Sequence, residues 1–176
     1  MYYFLYTTEK YYSAHFLNIT DLDKSFDDRG MIRKNLEFPT VKYLRGKRKK
    51  GKGEYLRLNG KLHLFSDYIA ENIYDKISED AHFTRVQVEG DVWNLLNYNK
   101  VIDCFDKKKS EFILSESGNR YIILNKIVLK KELIRDHFCF LIPEMADGPL
   151  FFTEKFKLLI ENYSHEGMDF VFADHL

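Results

Sequence analysis

The sequence predicts an α+β fold with a mainly antiparallel sheet, built as a single domain over residues 1–176. Two segments, 64–88 (LFSDYIAENIYDKISEDAHFTRVQV) and 151–174 (FFTEKFKLLIENYSHEGMDFVFAD), each read as a strand, a short amphipathic helix and a second strand. The chain between them is rich in β-branched and aromatic residues broken by turn signals. Hydrophobic residues make up 45% and aromatics 16% of the 176 residues, too apolar for a disordered chain. A globule of this length buries roughly 70% of its unfolded surface, so it closes a core without disulfides or metal.

The elements follow in order. MYYFLYTT, dense in aromatics, is an opening strand. Residues 18–35 are polar and turn-rich, a loop with at most a short helical turn. EFPTVKYLR is a strand whose start Pro39 places at an edge or bend. EYLRLNGKLHLF alternates apolar and polar positions and breaks at Asn59-Gly60, the signature of a type I′ hairpin turn. In each strand–helix–strand segment a hydroxyl residue, Ser66 or Thr153, stands at the N-cap. An acid, Asp67 or Glu154, follows where the helix dipole favours it. Sliding one segment by 87 positions pairs Phe65 with Phe152, Ile69 with Phe156, Ile73 with Ile160 and Phe83 with Phe170. Between them, VWNLLNYNKVIDCFD, SEFILSESGNRYIILNKIVLKKEL and RDHFCFLIP read as several strands, with Ser117-Gly118-Asn119 as a hairpin tip.

Net charge is zero but unevenly spread. From Arg29 to Lys61 twelve Lys/Arg face two acids, Glu37 and Glu54, which leaves 15 bases against 25 acids elsewhere. The basic excess peaks in RGKRKKGKG, where Arg45, Lys47, Arg48, Lys49, Lys50 and Lys52 alternate with three glycines. Lying between VKYL and YLRL, this tract is expected to form the mobile tip, at about 45–53, of a long hairpin. A dedicated nucleic-acid binder is usually basic throughout, because phosphate contacts supply most of its affinity, so nucleic acid is the less favoured partner. The alternative function that the tract suggests is a nucleic-acid-binding accessory protein using those six side chains.

Catalytic motifs are absent: no GxxxxGK[ST], GxGxxG, HExxH, GxSxG or CxxC occurs. Asp103 and Asp106 could be imagined as paired acids, but in a strand residues i and i+3 point to opposite faces, and a strand running into a charged turn accounts for them. His165, Glu166 and Asp169 sit where a chain reversal calls for polar residues anyway. His137 beside Asp136 reads as structural, and Trp93 with NLLNYNK as core packing plus surface amides. Cys104 and Cys139, each in an apolar run, read as buried reduced thiols. The N-terminus lacks a signal peptide's basic and aliphatic regions, and no apolar run reaches 18 residues, so a cytoplasmic location without membrane insertion is expected. No cofactor or metal site is expected.

NYNKVIDCFDKKKSEF, followed by a strand pair and then HFCFLIPEMADGPLFFTEKFKLLIENYSHEGMDFVF, resembles a family of bacterial immunity proteins, immunity protein family eleven of polymorphic toxin systems. The likeness spans roughly residues 60–174. It rests on Asn99, Val101-Ile102-Asp103, Asp106 and Lys109-Ser110, then on Phe151-Phe152-Thr153-Glu154, Phe156-Lys157, Leu159-Ile160, Gly167 and Phe170. The resemblance implies a non-catalytic protein that binds a cognate toxin in the cytoplasm and occludes it. The basic tract lies outside the matched region.

Overall fold

A computed structural model describes residues 1–16, 40–45, 49–58, 62–115, 121–145 and 150–173. It is an α+β structure of predominantly antiparallel strands. Six strands close a small barrel in the order β2 (Ser13–Phe16), β3 (Val41–Leu44), β6 (Ala81–Val88), β7 (Asp91–Tyr98), β5 (Leu62–Phe65), β4 (Tyr55–Leu58). A four-stranded sheet runs β10 (Cys139–Phe140), β11 (Phe151–Thr153), β1 (Tyr2–Thr7), β12 (Met168–Phe172), with every pair antiparallel. A separate two-stranded sheet joins β8 (Glu111–Leu114) and β9 (Tyr121–Lys126). The helices are α1 (Asp67–Ile77), the single turn α2 (Lys131–Ile134) and α3 (Glu154–Glu161), and a 3-10 turn covers Pro143–Met145.

Alternation of side chains along the strands divides the interior into three cores. On β4 and β5, Leu56, Leu58, Leu62 and Leu64 point into the barrel, while Tyr55 and Phe65 point out of it. On β7, Trp93 and Leu95 point in, and Leu96 and Tyr98 out. The outward set meets Ile69, Ile73 and Ile77 of α1 and Phe156, Leu159 and Ile160 of α3 in a central core. The four-stranded sheet bounds that core with Leu5, Cys139 and Phe152. Its opposite face presents Tyr2, Phe4, Phe140 and Phe151 to a third core with Phe105, Leu129 and Ile134. Strands buried on both faces must be apolar at successive positions, which is why YYFL, LHLF and FF carry no clean polar alternation.

Both longer helices are capped by the hydroxyls ahead of them. Ser66 Oγ accepts from Ile69 N at 3.3 Å, and Thr153 Oγ1 accepts from Phe156 N at 3.4 Å. Asp67 and Glu154 stand in the first turns. Beyond α1 the chain turns through Asp80, a carboxylate buried at 3% exposure. His137 Nδ1 donates to its Oδ1 at 2.7 Å and Phe138 N donates to Oδ2 at 2.5 Å, so this one acid ties the entry of β10 to the turn before β6. Asp80→Ala leaves a partly buried backbone donor and a partly buried imidazole without their acceptor and is expected to cost about 1–3 kcal/mol. Urea denaturation measures this directly, and a loss below about 0.5 kcal/mol would contradict the tie.

The structure departs from the sequence reading at several points. The basic tract does not cap a hairpin: β3 and β4 do not pair with each other but flank β2, β3 antiparallel to it and β4 parallel. The strand they share is distant in sequence, so short-range pattern could not reveal it. Residues 101–106 form no strand; only isolated bridges Val101–Leu141 and Phe105–Leu129 occur there. A helical turn, α2, replaces strand at 131–134, burying Ile134 against Leu129 and Phe105. The expected features at 18–35, Pro39, Asn59-Gly60 and Ser117-Gly118-Asn119 lie outside the described residues, as do Lys47 and Arg48. Among the described residues no helix is long and apolar enough to cross a membrane.

Candidate functional site

The described part of the basic tract is built into one end of the barrel. β6 and β7 turn at Glu89 (φ 49°) and Gly90 (φ 90°), both left-handed as a tight hairpin of type I′ requires. That turn aims Glu89 and Asp91 at the tract. Arg45 pairs with Glu89, and Lys52 with Asp91. Between the cations lies Tyr43, whose hydroxyl accepts from Trp93 Nε1 at 2.8 Å and donates to Asp91 Oδ2 at 2.6 Å. The Arg45 guanidinium stands 5.4 Å and the Lys52 ammonium 5.2 Å from the Tyr43 ring centroid. Arg45 holds the Glu89 carboxyl below its ordinary range, and Lys52, then Tyr43, does the same for Asp91. Burial, reinforced by Asp91, pushes the Tyr43 phenol up, so it stays protonated. Main-chain bonds from Lys50 N to Lys10 O (2.7 Å), Tyr12 N to Gly51 O (2.8 Å) and Glu54 N to Glu166 O (2.9 Å) seat the rest of the tract. Lys50 is exposed and Lys49 half-buried.

This end of the barrel is closed by a single parallel bridge, Val41–Val88. A groove of about 670 Å³ opens at the seam between Thr40–Lys42 and Arg85–Gln87. Its lining mixes the charges of Lys42, Arg85 and Glu89 with the apolar Val41, Val86 and Val92.

The family-pattern residues are placed for architecture. Asp103 is exposed and no hydrogen bond joins it to Asp106. Asp106 organises the turn that follows: its Oδ1 accepts from Lys108 N at 3.1 Å, and its carbonyl accepts from Lys109 N and Ser110 N. Ser110 Oγ then latches Val128, accepting from its N at 2.9 Å. Thr153, besides capping α3, donates to His137 O at 2.7 Å. Glu154 accepts from the Tyr3 hydroxyl, which burial and this carboxylate push up to about 12. Lys157 lies 5.0 Å over the Tyr3 ring and 3.8 Å from Glu161. Gly167 (φ 85°) lets the chain pass so close to β4 that an added Cβ would stand 3.3 Å from Tyr55 O. Phe170, half-buried, packs edge-on to Tyr3 at 6.1 Å. Cys104 and Cys139 are free and buried, and burial raises the Cys139 thiol far above its ordinary value. His165 and Glu166 occupy the exposed reversal before β12, and Asp169 is exposed on β12 itself, opposite Tyr6. Among the described residues no three His, Cys, Asp or Glu side chains converge as a metal site.

The surface that sequence reasoning missed is the two-stranded sheet. Its inner face, Phe112, Tyr121 and Ile123, packs on the third core. Its outer face sets Ile113 directly opposite Ile122, each 49% exposed, while Leu114, opposite Tyr121 on the other face, is itself 54% exposed at the strand end. The signal was present in FIL and YII. Three consecutive apolar residues on both arms of a hairpin make both faces apolar, and one small sheet has only one core to cover it. Lysines rim this face. Lys109, Lys126 and Lys131 line a groove of about 780 Å³ at its base with Tyr2, Glu111 and Leu129. No protein-family model matches the chain, and no curated protein matches it.

Proposed function

We propose that this chain is a non-catalytic binding protein of the immunity class, which neutralises a cognate bacterial toxin in the cytoplasm by covering its working surface. The supporting observation is the exposed Ile113–Ile122 pair, with Leu114 exposed at the end of the same strand, apolar surface on a two-stranded sheet of the kind that marks a protein contact. The likeness of residues 60–174 to immunity proteins supplies the class of partner. In this reading the two strand–helix–strand segments are a rigid frame. Support comes from their matching caps, Ser66 and Thr153, and from Phe65 and Phe152 meeting in one core. Binding to nucleic acid through the basic tract has less support, because Arg45 and Lys52 are already engaged by Glu89 and Asp91.

Co-expression with the toxin encoded beside it is expected to restore growth to cells that the toxin alone kills. The triple variant Ile113→Ser, Leu114→Ser, Ile122→Ser should remain soluble, since these side chains are exposed, and lose protection. Continued killing in the presence of soluble wild-type chain would rule the function out.

A further inference from the structure

We propose that the β8–β9 sheet receives an extended, acidic segment of the partner protein, added as a third strand along the outer edge of β8. This rests on the protein-binding reading above and names the chemistry of what is bound.

Three features of the sheet converge on such an occupant. The first is an available edge. Among the described residues β8 pairs only with β9, so the other side of Glu111–Leu114 presents unmatched backbone donors and acceptors. Native proteins usually protect such edges with charge, a bulge or a covering loop; here Glu111 and the register shift beside it guard one end, and the apolar Phe112–Leu114 stretch is left as a template for strand addition. The second is the apolar ladder of Ile113 and Ile122, which a third strand would extend and partly cover. The third is charge. Lys126 and Lys131 are exposed, and their ammonium groups have no ion pair or hydrogen bond among the described residues. Lys109 reaches only Asp106, at 3.3 Å, with its side chain 72% exposed. The one acid in the groove, Glu111, is occupied by Asn125 Nδ2 at 3.0 Å.

Strand periodicity sets the spacing of the ligand. Ile122 pairs with Ile113 and, across a shift in register, Lys126 pairs with Glu111, so along β8 the apolar pair and the Glu111–Lys126 pair stand two positions apart on one face, roughly 7 Å at about 3.3 Å per residue. A segment lying alongside β8 in the same face pattern matches both by carrying an acid about two residues from an apolar side chain, with Lys126 reaching across from beside Glu111. Apolar contact at one end and ion pairing at the other also fix its direction. The lysines face solvent, so their contribution is to encounter rate and specificity and weakens with salt.

The test uses the full chain and two probes. One is a fluorescent ten-residue peptide with isoleucine at its first and third positions, glutamate at its fifth and seventh, and threonine elsewhere; lysine replaces glutamate in its control. The other is the toxin. The wild-type chain is expected to bind the glutamate peptide at least about ten-fold more tightly than the control, and the preference should shrink as salt rises from about 50 to 200 mM. The Lys126→Glu, Lys131→Glu variant should keep the wild-type melting temperature and reverse the preference. Backbone amides of β8 should exchange more slowly in the complex. Equal binding of both peptides, no binding of either, or a charge-reversed variant that behaves as wild type overturns the inference, whatever the toxin does. Toxin binding that survives the charge reversal, with β8 exchange unchanged, overturns it while leaving the immunity function standing. A toxin that the wild-type chain never binds removes that function, and the peptide result still decides the inference.

Discussion

Phe152→Ala is expected to destabilise the protein by about 3–5 kcal/mol, the range for an aromatic removed from a packed interior. Phe152 is fully buried on β11. Its ring lies 4.6 Å from that of Phe156 and 5.0 Å from that of His63, so it joins α3 to the strand pair β4–β5. Truncation opens a cavity where the four-stranded sheet, the third helix and the barrel wall meet. None of these can collapse into it without breaking another contact, because each is fixed by its own hydrogen-bonded ladder. Set against a typical domain stability of roughly 5–15 kcal/mol, the loss leaves a chain that is marginal at growth temperature. Urea denaturation of the variant checks the figure. A loss under about 1.5 kcal/mol would mean that the central core does not couple these three layers. Phe152→Leu, which retains most of the volume, is expected to fall well short of the alanine cost.

Acid is expected to unfold the protein through His63. This side chain is 4% exposed on β5, its Nδ1 lies 2.7 Å from the Tyr55 hydroxyl, and the register places it directly opposite Arg57. Burial, with Arg57 adding to it, lowers the His63 pKa from 6.5 to about 3. Between those values the unfolded chain takes up a proton that the folded chain refuses. Stability therefore falls as pH drops below 6.5, by up to about 1.4 kcal/mol per pH unit, and the loss is complete near pH 3, at a total of order 4–5 kcal/mol. Glu89 and Asp91 act in the same direction but lower down. Their ion pairs contribute above the ordinary carboxylate values of 4.5 and 3.8 and are lost as pH falls through the depressed folded ones. The interval from pH 6.5 to 5 thus isolates the histidine from these two carboxylates. His63→Gln, which cannot be protonated, should show a flatter decline there in urea midpoints. Parallel declines for variant and wild type would assign the acid sensitivity elsewhere.

Both positions show where sequence pattern stops being informative. Phe152 was legible as an apolar residue ahead of a helix cap, and the caps at Ser66 and Thr153 follow from a hydroxyl preceding an acid and an apolar repeat. His63, in LHLF, looks like the polar member of an alternating strand. It is buried because its face of the barrel wall is covered by the four-stranded sheet and the helices, contacts made by residues nearly a hundred positions away. The basic tract misled for the same reason. Locally it looks like a solvated loop between two strands, whereas Glu89 and Asp91, which neutralise Arg45 and Lys52, arrive from a turn some forty residues on.

From its sequence alone the protein's class is determined. The composition demands a core, the apolar periodicities choose strands and two amphipathic helices, and hydroxyl–acid pairs set where those helices begin. These depend on neighbours within a few positions, where steric and hydrogen-bonding preferences act directly. Which strands pair, that six of them close a barrel, and that FIL and YII keep one apolar face in water were decided only in the tertiary structure. Pairing between strands distant in sequence is chosen by which arrangement buries the most apolar surface at once. FIL and YII signal two apolar faces, but which of them is left over when three cores are full is set by residues distant in sequence.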